Sequence, residues 1–184
     1  MTEIVELGLA PASVETTREQ GRRTVRTTSH FLDWTIDGES LRRRIPAADN
    51  WVTPFHRPWE EHVPETVDSL LGRRVDPDRE VGPGRAGVLL CFICGEVDVS
   101  AALDLGPTTV TWSGLRWRDV PDDQEPFVEG VPATLTFDRS RYEALLASAP
   151  ARLAALPESR DEVELRPPSG ATRRFRARWG RRRR

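Results

Sequence analysis

Two cysteines separated by two residues form the pattern best suited to chemistry in this 184-residue chain. Cys91 and Cys94 have the spacing of half a zinc site and also that of a redox dithiol. Zinc needs about two further ligands, and the available nitrogen ligands are His30, His56 and His62. A redox dithiol is favoured at a helix N-terminus, where the helix dipole lowers the thiol pKa. The pair therefore predicts zinc binding or redox chemistry if a tight turn brings the two sulfur atoms together.

The segment around the pair favours a structural role for both thiols instead. Residues 86–94 are apolar at every position except Gly87, which is typical of a strand covered on both faces. In such a strand Cys91 and Cys94 point to opposite faces, with Cα atoms about 10 Å apart. A disulfide requires less than about 7 Å. We therefore interpret both cysteines first as small apolar side chains, and expect no cofactor unless the pair binds zinc.

Short motifs surround the pair in a fixed order along the chain. They are Leu70-Leu-Gly72, Gly84-Arg85, Cys91-x-x-Cys94-Gly95-Glu96, Thr109-Val-Thr-Trp112 and Phe137-Asp-Arg-x-x-Tyr-Glu143. In this order and spacing, residues 30–148 resemble a family of small, uncharacterised proteins from high-GC bacteria that are often labelled oxidoreductases. The resemblance implies an oxidoreductase activity but no particular mechanism. The third cysteine of the family motif falls on Val99 here, so three-thiolate chemistry is absent.

An aromatic loop at residues 46–63 supplies the first candidate for partner binding. It contains Trp51, Phe55 and Trp59, and its prolines argue against regular structure. Large aromatic side chains are enriched in interfaces, where they fill pockets on the partner. They also cover the faces of sheets as ordinary core residues, and this second interpretation is favoured.

Arginines near the C-terminus supply the second candidate. All 27 basic residues of the chain are arginine, and nine of them lie in residues 165–184, which contain no acid. Arg174, Arg176 and Arg178 alternate with aromatic and small residues, so this segment predicts phosphate contacts and base stacking with a nucleic acid. Because residues 1–164 carry all 29 acids, the body of the protein is expected to repel nucleic acid.

The same arginines also fit a hairpin with residues 162–165. A loop at Pro168-Ser169-Gly170 places three pairs opposite one another: Glu164 with Arg174, Val163 with Phe175, and Glu162 with Arg176. Each exposed cross-strand ion pair is worth only about 0.2–1 kcal/mol. The pattern nevertheless indicates that most of the tail is folded.

Alternation of apolar and polar residues predicts an α+β fold with a mainly antiparallel sheet of five to seven strands. Two or three helices and the C-terminal arginine-rich hairpin complete it. The strands are expected at 26–36, 86–94, 97–105, 110–117 and 133–137, with a bulge near Gly114 and a turn at Asp37-Gly38. The helices are expected at 41–45, capped by Ser40, at 64–72, and at 139–148, capped by Asp138. Pro150 is expected to end the last helix, with a further turn or two at 151–156. Residues 11–23 are polar and are expected to form a loose helix or a linker.

Three parts are predicted along the chain: an N-terminal extension at 1–25, an α+β core domain at 26–157, and a basic hairpin and tail at 158–184. No signal peptide or membrane span is expected, and two cysteines without a signal favour a cytoplasmic protein with reduced thiols. No serine, histidine and acid are arranged for nucleophilic catalysis, although an enzymatic function stays open. The leading hypothesis is a non-enzymatic module that binds a protein partner. Zinc or redox chemistry at the cysteines is the alternative, and nucleic-acid binding the third.

Overall fold

The chain folds as an α+β protein with two antiparallel sheets, described by a computed structural model for residues 3–21, 23–46, 51–74, 84–92, 97–117 and 128–165. This confirms the predicted fold class. The described residues contain nine strands, which are β1 Leu7–Gln20, β2 Arg23–Ile36, β3 Glu39–Ser40, β4 Trp51–Val52, β5 Arg85–Cys91, β6 Val97–Leu105, β7 Thr109–Trp117, β8 Thr134–Asp138 and β9 Arg160–Leu165. The same ranges contain three α-helices, α1 Leu41–Arg44, α2 Val63–Leu70 and α3 Arg139–Ala154, and a 3-10 helix at Arg57–His62. Within the described ranges, no helix combines the length and apolar character needed to cross a membrane.

One sheet is built on a long hairpin of β1 and β2. The two strands pair along 14 residues, from Leu7 opposite Ile36 to Gln20 opposite Arg23, and β3 and β9 pair with the other edge of β2. The prediction of a loose helix or linker at 11–23 is therefore wrong. Pro11 is tolerated because it lies on an edge strand opposite Leu32, whose N–H donates to Phe55 rather than to β1.

The two predicted domain boundaries fall within or just before strands of this sheet. The boundary at residue 25 falls inside β2, and the strand before it pairs with β2 along its whole length. The boundary at 158 precedes β9, which pairs with residues 23–28 of β2. Both boundaries followed changes in composition, whereas backbone pairing joins these segments into one sheet.

The other sheet has the order β4-β5-β6-β7-β8, with each pair antiparallel. The predicted bulge in β7 is confirmed, because Gly114 has a φ of 52° and two residues of β7 stand opposite one of β6 at this point. The extra residue changes the parity of the strand. Val110, Trp112 and Leu115 are consequently all buried.

Large aromatic side chains join the two sheets and the helices. Trp34 of β2 donates from Nε1 to the carbonyl oxygen of Val88 in β5 at 3.0 Å, and its ring contacts Trp112 edge-on at 5.2 Å. The Tyr142 hydroxyl on α3 accepts from Trp112 Nε1 at 3.2 Å and donates to the carbonyl oxygen of Leu70 at 3.1 Å. The ring nitrogens of Trp34 and Trp112 and the Tyr142 hydroxyl are all paired, so these hydrogen bonds offset the cost of removing the polar groups from water.

Two expectations about proline are compared with the structure here. The helix that Asp138 caps was expected to be ended by Pro150, with a further turn or two at 151–156, whereas α3 runs without a break through Pro150 to Ala154. The last turn is held because Leu153 is fully buried and Arg152 donates to the carbonyl oxygen of Leu9. In the aromatic loop, Pro58 lies in the first turn of a 3-10 helix, where its missing N–H costs no hydrogen bond.

Candidate functional site

The cysteine pair is only partly described, because Cys94 lies outside the described residues. Cys91 ends β5 as a free, partly buried thiol opposite Trp51. Directly paired residues share one face of a sheet, so the Cys91 side chain lies on the face of Trp51. Leu90 lies opposite Val52 and belongs to the other face.

His56 lies on that other face of β5, in an apolar pocket. Its ring meets Trp59 edge-on at 4.6 Å and Phe92 at 5.3 Å, and the residue is 1% exposed. Among the described residues neither ring nitrogen has a hydrogen-bond partner. Burial lowers the pKa of His56 to about 4, so the ring is neutral at pH 7.

The described residues therefore do not assemble a metal site around the cysteine motif. Cys91 and His56 lie on opposite faces of β5, so the two side chains are not directed toward one ion. No group of three or more His, Cys, Asp or Glu side chains that could hold a metal is found in the described part of the chain. Zinc binding and redox chemistry by Cys91 and Cys94 stay predictions.

The partly buried Arg42 side chain contacts the backbone of Trp51 at this end of the sheet. The Arg42 guanidinium donates from Nη1 to the carbonyl oxygen of Trp51 at 3.3 Å and lies 4.9 Å from the centre of the Phe31 ring. Its Nε lies 3.9 Å from the carboxylate of Asp33, which also accepts from Ser40. Burial raises the pKa of Asp33, against the lowering effects of Ser40 and Arg42.

The three aromatic residues predicted to bind a partner occupy different environments. Phe55 has no exposed surface and contacts the Trp34 ring at 5.2 Å, so it belongs to the core and is not accessible to a partner. Trp51 and Trp59 are partly exposed. Trp51 meets Trp117 edge-on at 4.1 Å, and this pair was not foreseen because Trp117 follows 66 positions later in the sequence.

The arginines predicted to contact nucleic acid, Arg174, Arg176 and Arg178, lie outside the described residues. So does the second strand of the predicted hairpin. Its first strand is observed as β9, which pairs with β2. Nucleic-acid binding by these arginines stays a prediction.

A cleft of about 720 Å³ between the N-terminal segment and α3 was not predicted. Its apolar lining consists of Ile4, Val5, Leu7, Phe137, Ala144 and Leu145, together with the ring of Tyr142. Its charged lining consists of Glu6, Asp37, Asp138 and Arg141. Ile4 is 57% exposed, so this concave surface presents an apolar side chain to solvent among three carboxylates and one guanidinium.

Hydrogen bonds between distant segments connect the walls of the cleft. Val5 donates to the carbonyl oxygen of Thr136 at 2.9 Å, which fixes the N-terminal segment beside β8. Glu6 donates its N–H to the Asp37 carboxylate at 2.8 Å, and the Asp37 N–H donates to the carbonyl oxygen of Glu6 at 2.9 Å. Asp37 itself adopts a φ of 53°. The segment is thus fastened at both walls of the cleft.

Asp138 contributes both to the helix and to the charge of the cleft. Its Oδ1 accepts from Ser140 Oγ at 2.6 Å and from the Arg141 N–H at 2.9 Å, and so caps α3. The Ser140 hydroxyl, followed by the Arg141 N–H, lowers the pKa of Asp138. The sequence identified Asp138 as a cap and Asp37-Gly38 as a turn. The sequence did not reveal the cleft, because the cleft depends on the contact between Ile4 and Thr136, which are far apart in the sequence.

The fold places the chain in the α+β class, with a cleft beside its C-terminal helix. Comparisons with protein-family models, with curated proteins and with solved structures return no match for this chain. Arguments about function therefore start from the cleft and from the residues described above.

Proposed function

We propose that this chain is a non-enzymatic protein-interaction module, and that its cleft binds a cationic segment of a partner protein that carries an apolar side chain. The observation that supports the proposal is the composition of the cleft, in which an exposed Ile4 lies among carboxylates. Concave apolar surfaces with a few polar groups are the usual form of binding sites. An exposed apolar patch with a polar rim is typical of protein contacts.

Charge determines the kind of partner. Glu6 and Asp37 are exposed, and Asp138 stays ionised because its hydrogen bonds lower its pKa. Arg141 is the cation that the described residues place in the cleft lining. A partner segment with two or more basic residues would be attracted to this rim, and added salt would weaken the attraction.

The apolar side chains that line the cleft provide the contact for an apolar residue of the partner. Leu7 and Leu145 are partly buried beside the exposed Ile4. Covering an exposed isoleucine side chain contributes on the order of 1 kcal/mol, so one apolar residue of the partner would favour a single register of binding. We place this activity in the cytoplasm, where a free thiol such as that of Cys91 stays reduced.

Selection from a displayed library of random 12-residue peptides tests the proposal. The full chain is expected to enrich peptides with at least two basic residues flanking an apolar one. Binding of a selected peptide should fall about fivefold in the Ile4→Ser variant, which removes an apolar contact worth about 1 kcal/mol without changing the charge of the rim. It should fall similarly in the triple variant Glu6→Gln, Asp37→Asn, Asp138→Asn, which removes charge while asparagine retains the turn and the cap.

A second triple variant is the matched control. Glu15→Gln, Asp104→Asn and Glu158→Gln remove the same charge from exposed positions elsewhere on the surface and are expected to leave binding unchanged. The proposal is wrong if the library enriches no such peptides, or if both triple variants weaken binding equally. Enrichment that depends on Zn²⁺ or on the thiols would instead favour the cysteine hypothesis.

A further inference from the structure

The backbone of the N-terminal segment bonds alternately to neighbours on its two sides. The Val5 N–H donates to the carbonyl oxygen of Thr136 in β8 at 2.9 Å. On the opposite side, Glu6 donates its N–H to Asp37 Oδ1 at 2.8 Å and accepts from the Asp37 N–H at 2.9 Å. Because successive residues of an extended strand direct their backbone groups to opposite sides, the N–H and C=O of Ile4 point to the side of Asp37.

These two backbone groups of Ile4 are open to a ligand. Strand β2 would reach them if it continued past Asp37 in the register that places Leu7 opposite Ile36. The chain instead turns away at Asp37 and Gly38, where φ is 53° and 80°, and returns as β3 on the other edge of β2. Among the described residues, neither the N–H nor the C=O of Ile4 has a hydrogen-bond partner. The place beside Ile4 therefore suits one further strand in line with β2.

The Asp37 carboxylate lies where such a strand has its end. In a regular antiparallel pair the Glu6 N–H would donate to the backbone carbonyl of Asp37, but here it donates to Oδ1 of the side chain. The carboxylate thus takes the place of the carbonyl, at the point where β2 stops. A bound strand cannot pass this point, because Asp37 itself occupies the line. The carboxylates of Asp37 and Asp138 in the cleft repel a terminal carboxylate and attract a terminal ammonium.

We infer that the cleft binds the free amino terminus of the partner protein, as an extended strand antiparallel to residues 3–5. The inference rests on the proposed function of the cleft and specifies which part of the partner enters it. The terminal ammonium of the partner lies against the Asp37 carboxylate. The first residue of the partner stands opposite Val5. The second residue stands opposite Ile4 and exchanges two backbone hydrogen bonds with it, which is recognition by strand addition together with capture of an amine.

The alternation of hydrogen-bonded pairs determines this register. Glu6 and Asp37 form a hydrogen-bonded pair, so the pair at Val5 is non-hydrogen-bonded and the pair at Ile4 is hydrogen-bonded again. Directly opposed side chains share one face of a sheet. The second residue of the partner therefore covers the exposed Ile4 side chain and is expected to be apolar. The third residue stands opposite Glu3, where a basic side chain meets a carboxylate.

Chemical modification of a selected peptide tests the terminus, with the full chain as the binding protein and a library displayed with free amino termini. Acetylation of the terminal amine is expected to weaken binding of the synthetic peptide about tenfold, because it removes a charge-assisted hydrogen bond. Amidation of the carboxyl terminus is the control. It should change binding by less than about twofold, because that end lies beyond the cleft and its charge is screened.

The Asp37→Asn variant tests whether the Asp37 carboxylate recognises the ammonium. Asparagine tolerates the positive φ of this turn and keeps an acceptor for the Glu6 N–H, but it carries no charge. In this variant acetylation of the peptide should weaken binding by less than about twofold. In the control Glu15→Gln, which removes an exposed charge elsewhere, acetylation should still weaken binding about tenfold.

Methylation of single backbone nitrogens of the peptide tests the register. A methyl group on the nitrogen of the second residue removes the N–H that donates to the carbonyl oxygen of Ile4, and is expected to weaken binding about tenfold. The nitrogen of the third residue points away from residues 3–5, so a methyl group there should weaken binding by less than about twofold.

The results separate this inference from the proposed function. If the selected peptides lose affinity in Ile4→Ser but bind equally well when acetylated, the inference is wrong and the proposed function stands. Equal effects of methylation at the second and third nitrogens also overturn the inference. A library that enriches no cationic peptide overturns both, since the inference depends on the partner.

Discussion

The Arg42 guanidinium holds the backbone of Trp51, donating to its carbonyl oxygen at 3.3 Å. The same side chain balances the buried carboxylate of Asp33, with Nε 3.9 Å from Oδ2. A partly buried guanidinium thus links a buried carboxylate to the backbone of a partly exposed tryptophan. Trp51 in turn contacts Trp117 at 4.1 Å, so Arg42 connects α1 and β2 to this end of the five-stranded sheet.

Removal of Arg42 is expected to destabilise the protein more than the loss of a surface charge would. Arg42→Ala leaves Asp33 buried without its cation, and we expect the free energy of unfolding to fall by about 3 kcal/mol. Adding Asp33→Asn should recover part of the loss, because the amide carries no charge to desolvate. Urea unfolding of the single and double variants measures both effects. Arg18→Ala, at an exposed position of β1, should change stability by less than about 0.5 kcal/mol, and an equal loss in the two arginine-to-alanine variants would contradict the prediction.

Protonation of His56 should make the fold sensitive to acid. The pKa of His56 is about 4 in the folded protein and 6.5 when unfolded, so between these values the unfolded state binds more protons. The free energy of unfolding therefore falls as the pH is lowered from 6.5 to 4, by about 3 kcal/mol in total. Asp33 acts in the opposite direction at acidic pH, because its pKa is raised on folding.

A histidine replacement isolates this effect. His56→Phe keeps an aromatic ring in the pocket of Trp59 and Phe92 and should lose most of the slope between pH 6.5 and 4. At pH 7 its stability should lie within about 1.5 kcal/mol of the parent. Urea unfolding at several pH values provides the measurement, with the exposed His62→Gln as control. A slope that persists in His56→Phe would assign the acid sensitivity to other groups.

Two glycines with positive φ should differ in their tolerance of a side chain. A Cβ on Gly130, at φ 84°, would overlap the carbonyl oxygen of Arg44, whereas one on Gly114, at φ 52°, meets nothing within 4 Å. Gly130→Ala is expected to cost about 3 kcal/mol, and Gly114→Ala about 1–2 kcal/mol from backbone strain alone. Thermal and urea unfolding compare them. Gly114→Asn should be milder than Gly114→Ala, and equal costs at the two sites would show that the bulge is packed more tightly than described.

The end of α3 allows a stabilising substitution. Pro150 lies inside the helix and offers no N–H to the carbonyl oxygen of Leu146. Pro150→Ala is expected to raise the free energy of unfolding by about 1 kcal/mol, and Leu153→Ala to lower it by about 2–5 kcal/mol because Leu153 is fully buried. Pro157→Ala, just after the helix, is the control and should bring no gain. A destabilising effect of Pro150→Ala would contradict this prediction and would show that the proline stabilises the end of α3.

Local patterns predicted those elements whose partners lie nearby in the sequence. Strands β5 to β8 are consecutive in the sequence and pair with one another in that order. A continuous apolar run identified β5, and alternation identified β6 to β8. The caps Ser40 and Asp138 accept from N–H groups three residues later, so both were visible in the sequence. The bulge near Gly114 was predicted because the apolar residues of this one strand change from even-numbered to odd-numbered positions there.

The amino-acid sequence by itself therefore determined the α+β class, the buried strand β5 and the local caps and turns, since each depends on residues a few positions apart. Tertiary structure alone decided that polar residues 11–20 form a strand, that α3 passes Pro150, that Phe55 is core, and that Cys91 and His56 lie on opposite faces of β5. It also created the cleft, where Ile4 meets Thr136 across 132 positions. These features depend on burial and backbone pairing between distant segments, and such long-range contacts override the weak propensity of any short stretch.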